Sequence, residues 1–410
     1  MNTIATLEGL FKEVYANEHK PLIPVGKVVQ ERVQFSKRDK ELGNRYHLPV
    51  VLAHEHGVTF EAPGQGGLTN LNAAVAGQVK DAIVDAYAMT LRSHLSYEAA
   101  ARAVKSRNAF IDATRFLVGN MFDSITKKLE IELLYGQSGL AKIASASGSV
   151  PTMTATIEDA EWADGIWVGA ENMLVDVYNG GTFVTSGRVQ SVNIAAKQIV
   201  ITDLTAAIAA GHDIYFKGAY GNEMAGIHKI LSQSTGNLFN ISVTAYALWK
   251  GTVHQANATP IVLSFPIINQ AISAAMPKGM DGDAFVLVNP KHWDDLLEDV
   301  AGLRMFDSSY SPKQGSYGHE SLVFHSQNGK IEIVASPYVK EGYSYILSLK
   351  DWVRIGASEV TFKRPGIDGD ERIFFDMPER NAYEFRAYTS QSIFCGAPAR
   401  SVLITNLKAE

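Results

Sequence analysis

A proline-free stretch at 96–136 constrains this chain more than any other feature. Its only interior glycine is Gly119, and residues suited to a buried face recur at intervals of three, four or seven. These residues are Ala103, Phe110, Thr114, Leu117, Met121, Ile125 and Leu129. Ser96 can cap the start, and Gly136 and Gly139 can supply positive φ at the end. The pattern predicts one amphipathic helix roughly 60 Å long, which needs a sheet or another extended surface to lie on.

Composition limits the class of protein. The 410 residues suffice for two to four domains, and 46% hydrophobic with 20% charged residues is typical of a globular protein with a sizeable core. A net charge of −6 argues against a dedicated nucleic-acid binder. The single cysteine, Cys395, excludes an intrachain disulfide. The sequence has no signal-peptide pattern and no apolar run long enough to span a membrane, so we expect a soluble protein made inside the cell.

The region before the long helix has two parts. Residues 3–15 carry an apolar stripe of Leu7, Leu10, Phe11 and Val14, which predicts a short amphipathic helix. A polar arm containing Pro21 and Pro24 follows it. This arm is too irregular to build a core of its own, so we expect it to lie against something else, such as another subunit.

A protruding β-hairpin is predicted over 46–95. Short strands at 47–52 and 58–60 lead to a glycine-rich tip that contains Pro63, Gly64 and Gly66. The returning arm, 78–95, alternates apolar and polar residues with the period of a half-buried strand. Such a hairpin is marginal in water by itself. We therefore expect it to contact a neighbouring subunit.

The region after the helix divides into a β segment and an α/β segment. Short strands at 166–168, 173–178, 188–193, 198–202 and 213–216, preceded by a small-residue linker at 144–149, predict an inserted barrel or sandwich. Beyond 222 the pattern is mixed, with helices predicted at 260–276 and 290–300 and strands at 284–288, 321–325, 330–335 and 343–348. The last strands, within 352–407, are predicted to pair beside the long helix.

No catalytic, cofactor-binding or metal-binding residue is assigned. His54-Glu55-His56 lacks the zincin spacing, and the acidic residues between Asp281 and Asp299 do not follow an EF-hand pattern. Cys395 lies in an apolar strand, as a buried thiol does. The polar loop 303–320 carries three aromatic residues, Phe306, Tyr310 and Tyr317, and aromatics on such a loop favour an inter-subunit contact.

The order of these parts resembles the major capsid proteins of tailed bacteriophages with the HK97 fold. The segments that carry the resemblance are 91–100, 221–227, 286–293, 335–339 and 382–388. The resemblance implies an α+β fold with six parts. These are an N-terminal arm (1–45), an E-loop hairpin (46–95), the spine helix and start of the P-domain (96–149), an inserted small β-domain (150–221), an A-domain (222–350) and a return into the P-domain (351–410).

The resemblance also implies a function and partners. The chain would be a structural protein without enzymatic activity that assembles as hexamers and pentamers into an icosahedral shell around double-stranded DNA. The DNA would be contacted non-specifically, and portal, separate scaffolding and decoration proteins would be partners, with no membrane and no cofactor. An encapsulin-type nanocompartment shares the fold and is one alternative. The other is a hydrolase whose active site the sequence does not reveal.

Overall fold

The structure, a computed structural model, describes residues 25–36, 45–61, 70–98, 107–298, 321–326, 329–363 and 375–409. The predicted helix at 3–15 and the loop at 303–320 lie outside these ranges. The α-helices are α1 Val28–Arg32, α2 Arg107–Tyr135, α3 Asp164–Trp167, α4 Ile227–Ser232, α5 Phe265–Ala275 and α6 Pro290–Glu298. Short 3-10 turns lie at Asp159–Glu161, Ala247–Trp249, Met276–Lys278, Leu349–Asp351 and Pro398–Arg400.

The described strands fall into three large sheets and two small ribbons. The first ten are β1 Arg45–Ala53, β2 Gln78–Asp85, β3 Tyr87–Ser96, β4 Ala141–Ser149, β5 Thr152–Ile157, β6 Leu174–Asn179, β7 Thr182–Asn193, β8 Gln198–Thr202, β9 Asp213–Phe216 and β10 Asn237–Leu238. The others are β11 Ile241–Ser242, β12 Thr252–Gln255, β13 Ala284–Val288, β14 Ser321–Ser326, β15 Gly329–Ala335, β16 Tyr343–Leu347, β17 Trp352–Thr361, β18 Phe375–Asp376, β19 Ala382–Cys395 and β20 Val402–Thr405.

Helix α2, called the spine helix below, contains much of the predicted 96–136 stretch, of which 99–106 lie outside the described residues. Met121, Ile125 and Leu129 of the predicted stripe are buried. The first two pack against Phe385 and Ala387 of β19, so the sheet that contains β19 is the surface on which this helix lies. From Leu129 onward the helix is buried on all sides, because the other domains close around its last two turns.

The spine helix ends where predicted, but for a different reason at one position. Gly136 does not have a positive φ. The first residues after Tyr135 that do are Gln137, at 62°, and Gly139, at 79°. Gly136 is needed for space: a Cβ there would lie 2.1 Å from the carbonyl oxygen of Met224. Gly119 shows the opposite situation, since it is exposed and its Cβ would meet nothing within 4 Å. Close packing against a strand, which would offset the cost of a glycine inside a helix, is therefore not found at Gly119 among the described residues.

The predicted returning arm at 78–95 is two strands that belong to different sheets. Strand β2 pairs with β1 in the hairpin, whereas β3 pairs along its whole length with β19, from Tyr87 opposite Gln391 to Ser96 opposite Ala382. The change occurs at Ala86, where alternation of apolar residues does not reveal that the partner changes. The predicted strand at 58–60 is wrong, because this segment is irregular.

The inserted β region is a closed barrel with strand order β4-β5-β8-β7-β6-β9. The barrel begins at Ala141, so the predicted linker at 144–149 is part of the barrel strand β4. The small side chains of this segment gave no apolar pattern from which a strand could be predicted. The predicted strand at 166–168 is instead part of the short helix α3, where Trp167 stacks on Trp162 with ring centroids 6.1 Å apart. The barrel therefore takes in the end of the predicted P-domain segment.

The region after the barrel forms a six-stranded mixed sheet with strand order β12-β20-β16-β13-β15-β14. Helix α5 packs its apolar face, including Phe265, Ile268 and Ile272, into the core beside this sheet. The C-terminal strand β20 lies between β12 and β16, so its predicted position beside the spine helix is wrong. Strand β19 does pair with β3 beside the spine helix, as predicted, and β17 and β18 pair with β19 in the same sheet.

The described part of the N-terminal arm, 25–36, lies against its own subunit. The carboxylate of the buried Glu130 in the spine helix accepts hydrogen bonds from the backbone N–H groups of Val29 and Gln30, at 2.6 and 3.1 Å. The guanidinium of Arg354 donates to the carbonyl oxygens of Gln30 and Val33, at 2.9 and 2.8 Å. An acid and a base on two different elements therefore fix this segment.

Candidate assembly surface

The hairpin, defined here as β1, β2 and the connecting residues 54–77, is fixed to the subunit at its base. Ala82 and Val84 are buried, and the ring of Tyr46 packs edge-on against Phe394 at 5.8 Å. The hydroxyl of Ser392 donates to the carbonyl oxygen of Asp85. These contacts place the base in the main core and make the hairpin project from it.

Beyond the last strand pair, Ala53 with Gln78, the two segments of the hairpin continue side by side. The amide of Asn72 donates to the carbonyl oxygen of Val58 at 2.9 Å, and its backbone N–H donates to the hydroxyl of Thr59 at 2.8 Å. Closer to the strands, the N–H of His56 donates to the carbonyl oxygen of Val75 at 3.0 Å. These hydrogen bonds hold the two segments together up to the boundary of the described residues.

The distal part exposes a concentration of apolar side chains, called the hairpin patch below. Phe60 is 91% exposed and Leu71 is 83% exposed. Of the fifteen large apolar side chains exposed in the described residues, six belong to the patch, namely Val51, Val58, Phe60, Leu71, Val75 and Val79. Exposed apolar side chains concentrated in one element favour a protein–protein contact. A lone subunit leaves it in water.

Two side-chain pairs connect the hairpin strands β1 and β2. Arg45 and Asp85 approach to 3.0 Å, and His47 and Asp81 approach to 2.6 Å, all with side chains about half exposed. Exposed pairs of this kind contribute at most about 1 kcal/mol each. These pairs therefore contribute little to the stability of the hairpin. The apolar contacts at its base hold the hairpin in place.

The four-stranded sheet has a second face, opposite the spine helix, that is polar. Residues of β3 alternate, and its exposed members include Arg92 and His94. On β19, Arg386 donates to Glu384 at 2.5 Å, and this contact holds the pKa of Glu384 below its usual value. The subunit therefore presents an apolar projection at the hairpin and a charged face on the sheet.

A buried polar network connects the spine helix, the barrel and the six-stranded sheet. The ammonium of Lys340, which is fully buried, donates to Glu161 at 2.6 Å and lies 4.3 Å from the ring centroid of Tyr135. The hydroxyl of Tyr343 also donates to Glu161 at 2.6 Å. Burial alone would raise the pKa of Glu161, but Lys340 and Tyr343 together lower it to about 2. The pair of Lys340 and Glu161 therefore joins three parts of the chain.

A histidine and a further tyrosine extend this network. His228 contacts the hydroxyl of Tyr345 at 3.0 Å, and burial lowers the pKa of this histidine to about 4. Burial also raises the pKa of Tyr343, as does Glu161. Lys340, Glu161 and the tyrosines of the network contact one another. Single-sequence reasoning missed this network because its members are far apart in the chain.

The sequence motifs considered for chemistry are dispersed in the structure. His54, Glu55 and His56 lie in an exposed irregular segment of the hairpin. Asp281 pairs with Lys350, and Asp283 accepts the backbone N–H of Lys330 at 3.1 Å. Cys395 is fully buried, and burial raises the pKa of its thiol. Within the described ranges there is no group of three or more potential metal ligands, nor a helix that could cross a membrane.

The six residues predicted as inter-subunit contacts all lie outside the described residues. Pro63, Gly64 and Gly66 belong to the hairpin tip, and Phe306, Tyr310 and Tyr317 belong to the loop at 303–320. Their role stays a prediction. The residues of the hairpin patch are functional candidates that the sequence reasoning did not single out. The sequence feature that could have identified them is the position of two large apolar residues, Phe60 and Leu71, on either side of a glycine-rich tip.

Solved structures share this fold over nearly the whole chain. The capsid asymmetric unit of cyanophage A-1(L) is 12% identical with a TM-score of 0.59, covering 99% of both chains. The capsid of a native GTA particle is 10% identical with a TM-score of 0.52 and full coverage of both. A chain of Mycobacterium phage Adephagia is 10% identical with a TM-score of 0.50, covering 99% of this chain and 98% of the other.

At these identities the likeness establishes the fold. The chain has the predicted α+β architecture of HK97-type capsid subunits. No family model and no curated protein matches its sequence.

Proposed function

We propose that this chain is the major capsid protein of a tailed bacteriophage and assembles into the icosahedral head that encloses a double-stranded DNA genome. The observation that carries the proposal is the hairpin patch, which projects from a fold shared with capsid subunits and exposes Phe60 and Leu71 to water. The role is structural, without catalysis. The protein is part of the virion and is assembled in the bacterial cytoplasm.

Assembly follows from burying the hairpin patch on a neighbouring subunit. Complete burial of a Val, Leu or Phe side chain contributes about 1.5–3 kcal/mol before the cost of association is subtracted. Six such side chains therefore support a contact of modest strength. Repetition around closed symmetry, as hexamers and pentamers, adds these contacts into a stable shell. The base of the hairpin, held by Ala82 and Val84, keeps the patch in a fixed direction for this purpose.

The partners follow from this role. A separate scaffolding protein would guide curvature, a portal would occupy one vertex, and decoration proteins would bind the finished surface. Packaged DNA would be contacted non-specifically, in keeping with the net charge of −6. The hairpin tip with Pro63, Gly64 and Gly66, and the loop with Phe306, Tyr310 and Tyr317, are proposed as further inter-subunit contacts.

The experiment is to express the full chain, alone and with a candidate scaffolding protein, and to measure particle size by sedimentation and electron microscopy. Closed particles of megadalton mass are expected. A 44.6 kDa monomer at all concentrations in both preparations would contradict the proposal. An encapsulin-type nanocompartment would form similar particles, so particles from the native source are also tested for nuclease-protected double-stranded DNA. Protein cargo without DNA would favour the nanocompartment.

A further inference from the structure

Two acidic side chains, Glu132 and Glu223, meet inside the subunit, far from the hairpin. Glu132 lies in the last turn of the spine helix, and Glu223 lies on the connection between β9 and α4. The two residues are only 9% and 7% exposed, and their carboxyl groups interact directly. Two carboxylates in contact away from water repel each other, so the folded subunit needs a positive charge between them.

The surroundings of this pair do not supply the positive charge. Within the described part of the chain, no lysine, arginine or histidine forms an ion pair with either carboxyl group. Lys128 lies one turn earlier on the spine helix, and neither it nor Lys217 pairs with these acids. The last turn of the helix contains no basic residue, so the negative end of the helix dipole adds to the two carboxyl groups. All these features favour a cation at this position.

One oxygen atom of the pair lacks a partner. The carboxyl group of Glu223 interacts with Glu132 and with the backbone of Gln137. Its Oε1 atom is nevertheless buried without a hydrogen-bond partner. Buried polar atoms in folded proteins are nearly always satisfied, so an orphaned carboxylate oxygen indicates that something binds there.

A small void beside the pair has room for a single ion. Its volume is about 10 Å³, close to the space that the centre of one water-sized particle needs. The residues around it include Glu132, Tyr135, Gly136, Phe216 and Glu223. Both acids also line a cleft of about 1370 Å³ between the spine helix and the barrel, and the helical wall of this cleft carries polar side chains. Water and ions can therefore reach the pair from solvent.

We propose that Glu132 and Glu223 bind one divalent cation of the Ca²⁺ and Mg²⁺ class at the end of the spine helix. Two carboxylates balance the charge of such an ion, and carboxylate and water oxygens are the ligands that these ions prefer. Water from the cleft completes the coordination. The ion takes the place of the proton that the pair otherwise holds, and it fastens the spine helix to the connection between the barrel and the six-stranded sheet.

Equilibrium dialysis of the full chain tests the site. Unassembled subunits are freed of metal with a chelator and titrated with Ca²⁺ or Mg²⁺ in separate arms, at constant ionic strength and at mildly alkaline pH, where protons compete least. Glu132→Gln and Glu223→Gln each remove one carboxylate with little change of shape. Glu171→Gln, at an exposed position between α3 and β6, is the matched control. Circular dichroism melting confirms that each variant is folded.

The parent and the control are expected to bind about one ion per chain, and the tighter of the two arms identifies the ion. Glu132→Gln and Glu223→Gln should bind it at least about tenfold more weakly, because each loses half of the ligand charge. No saturable binding by the parent in either arm, or the same affinity in all four proteins, would overturn the proposal. The inference does not depend on the proposed function, because the measurement concerns single subunits.

Terbium luminescence gives a second readout that reports on the position of the ion. Tb³⁺ binds to oxygen sites of the Ca²⁺ type, and it emits when a nearby tyrosine is excited. Tyr135 lines the void, so the parent should show this emission, and excess Ca²⁺ should abolish it. The emission should be lost in Glu223→Gln and kept in Glu171→Gln. Equal emission from these two variants would place the ion elsewhere and overturn the proposal.

Discussion

The carboxyl groups of Glu132 and Glu223 are neighbours in a buried site where the spine helix meets the connection from the barrel to the six-stranded sheet. Burial raises the pKa of Glu223 to about 7. Burial and the neighbouring Glu223 also raise the pKa of Glu132. Two such groups remain adjacent only if they hold a proton between them. This contact therefore makes the junction sensitive to pH.

The sign of this pH dependence follows from linkage. Between the unfolded pKa near 4.5 and the folded pKa of about 7, the folded state binds more protons, so this pair stabilises the fold less as the pH rises. The loss amounts to up to about 3 kcal/mol. Urea unfolding of unassembled subunits at pH 5 and pH 8 measures it. Glu223→Gln is expected to reduce the pH dependence relative to the parent.

Comparison with the parent isolates the pair from other titrating groups. The pKa of His228 is lowered by burial to about 4, so this histidine contributes the opposite slope in both proteins. Glu171→Gln, at an exposed position between α3 and β6, is the matched control. If Glu223→Gln and Glu171→Gln show the same pH dependence as the parent, the buried pair does not set it.

The anchor of the N-terminal arm gives a second prediction. Glu130→Ala leaves the backbone N–H groups of Val29 and Gln30 without their acceptor in a buried site, which is expected to cost about 2–3 kcal/mol. The segment 25–36 should also become sensitive to limited proteolysis. Glu359→Ala removes the exposed partner of Arg354 and should change stability by less than about 1 kcal/mol. Equal effects of the two substitutions would show that Glu130 is not the anchor.

Two ion pairs of different burial give a third prediction. Lys340→Met leaves Glu161 charged and uncompensated in a buried network and is expected to cost about 3–5 kcal/mol. Lys350→Met breaks the exposed pair with Asp281 and should leave the unfolding free energy almost unchanged, because water and salt screen this pair. Chemical denaturation of both variants measures the difference. A small cost for Lys340→Met would mean that the network does not hold the three parts of the chain together.

Two glycines of the spine region give a fourth prediction. Gly136→Ala places a Cβ 2.1 Å from the carbonyl oxygen of Met224, so it should prevent correct packing of the helix end. Gly119→Ala meets open space and should stabilise the subunit by about 1 kcal/mol through helix propensity. Thermal unfolding of the two variants should therefore shift in opposite directions. A destabilising Gly119→Ala would indicate a close contact at that position in the folded protein.

Periodicity identified the elements whose surroundings are local. The end of the spine helix, the strand Ala284–Val288, the barrel strands β6, β8 and β9 and the second half of β7 were predicted, whereas the barrel strands β4 and β5 were not. The small residues of β4 gave too little apolar signal, and the apolar run Ile166-Trp167-Val168 resembles a short strand although it lies at the end of helix α3. Local patterns carry most information where one face of an element is buried.

Partner choice between strands could not be derived from the same patterns. The alternation at 78–95 continues through Ala86 although the pairing partner changes from β1 to β19. Strand β20 likewise has no local feature that assigns it to the six-stranded sheet. The pair Glu132 and Glu223, and the ion pair of Lys340 with Glu161, join residues distant in sequence. Their contacts exist only once the domains have closed around the spine helix.

The central claim is that the hairpin patch drives shell assembly. Its most direct test is sedimentation velocity, supported by electron microscopy, on Phe60→Asp combined with Leu71→Asp under conditions in which the parent assembles. Leu248→Asp, at another exposed apolar position, is the matched control. We predict that the double variant stays a folded 44.6 kDa subunit while the parent and the control form closed megadalton shells. Normal shells from the double variant would contradict the claim.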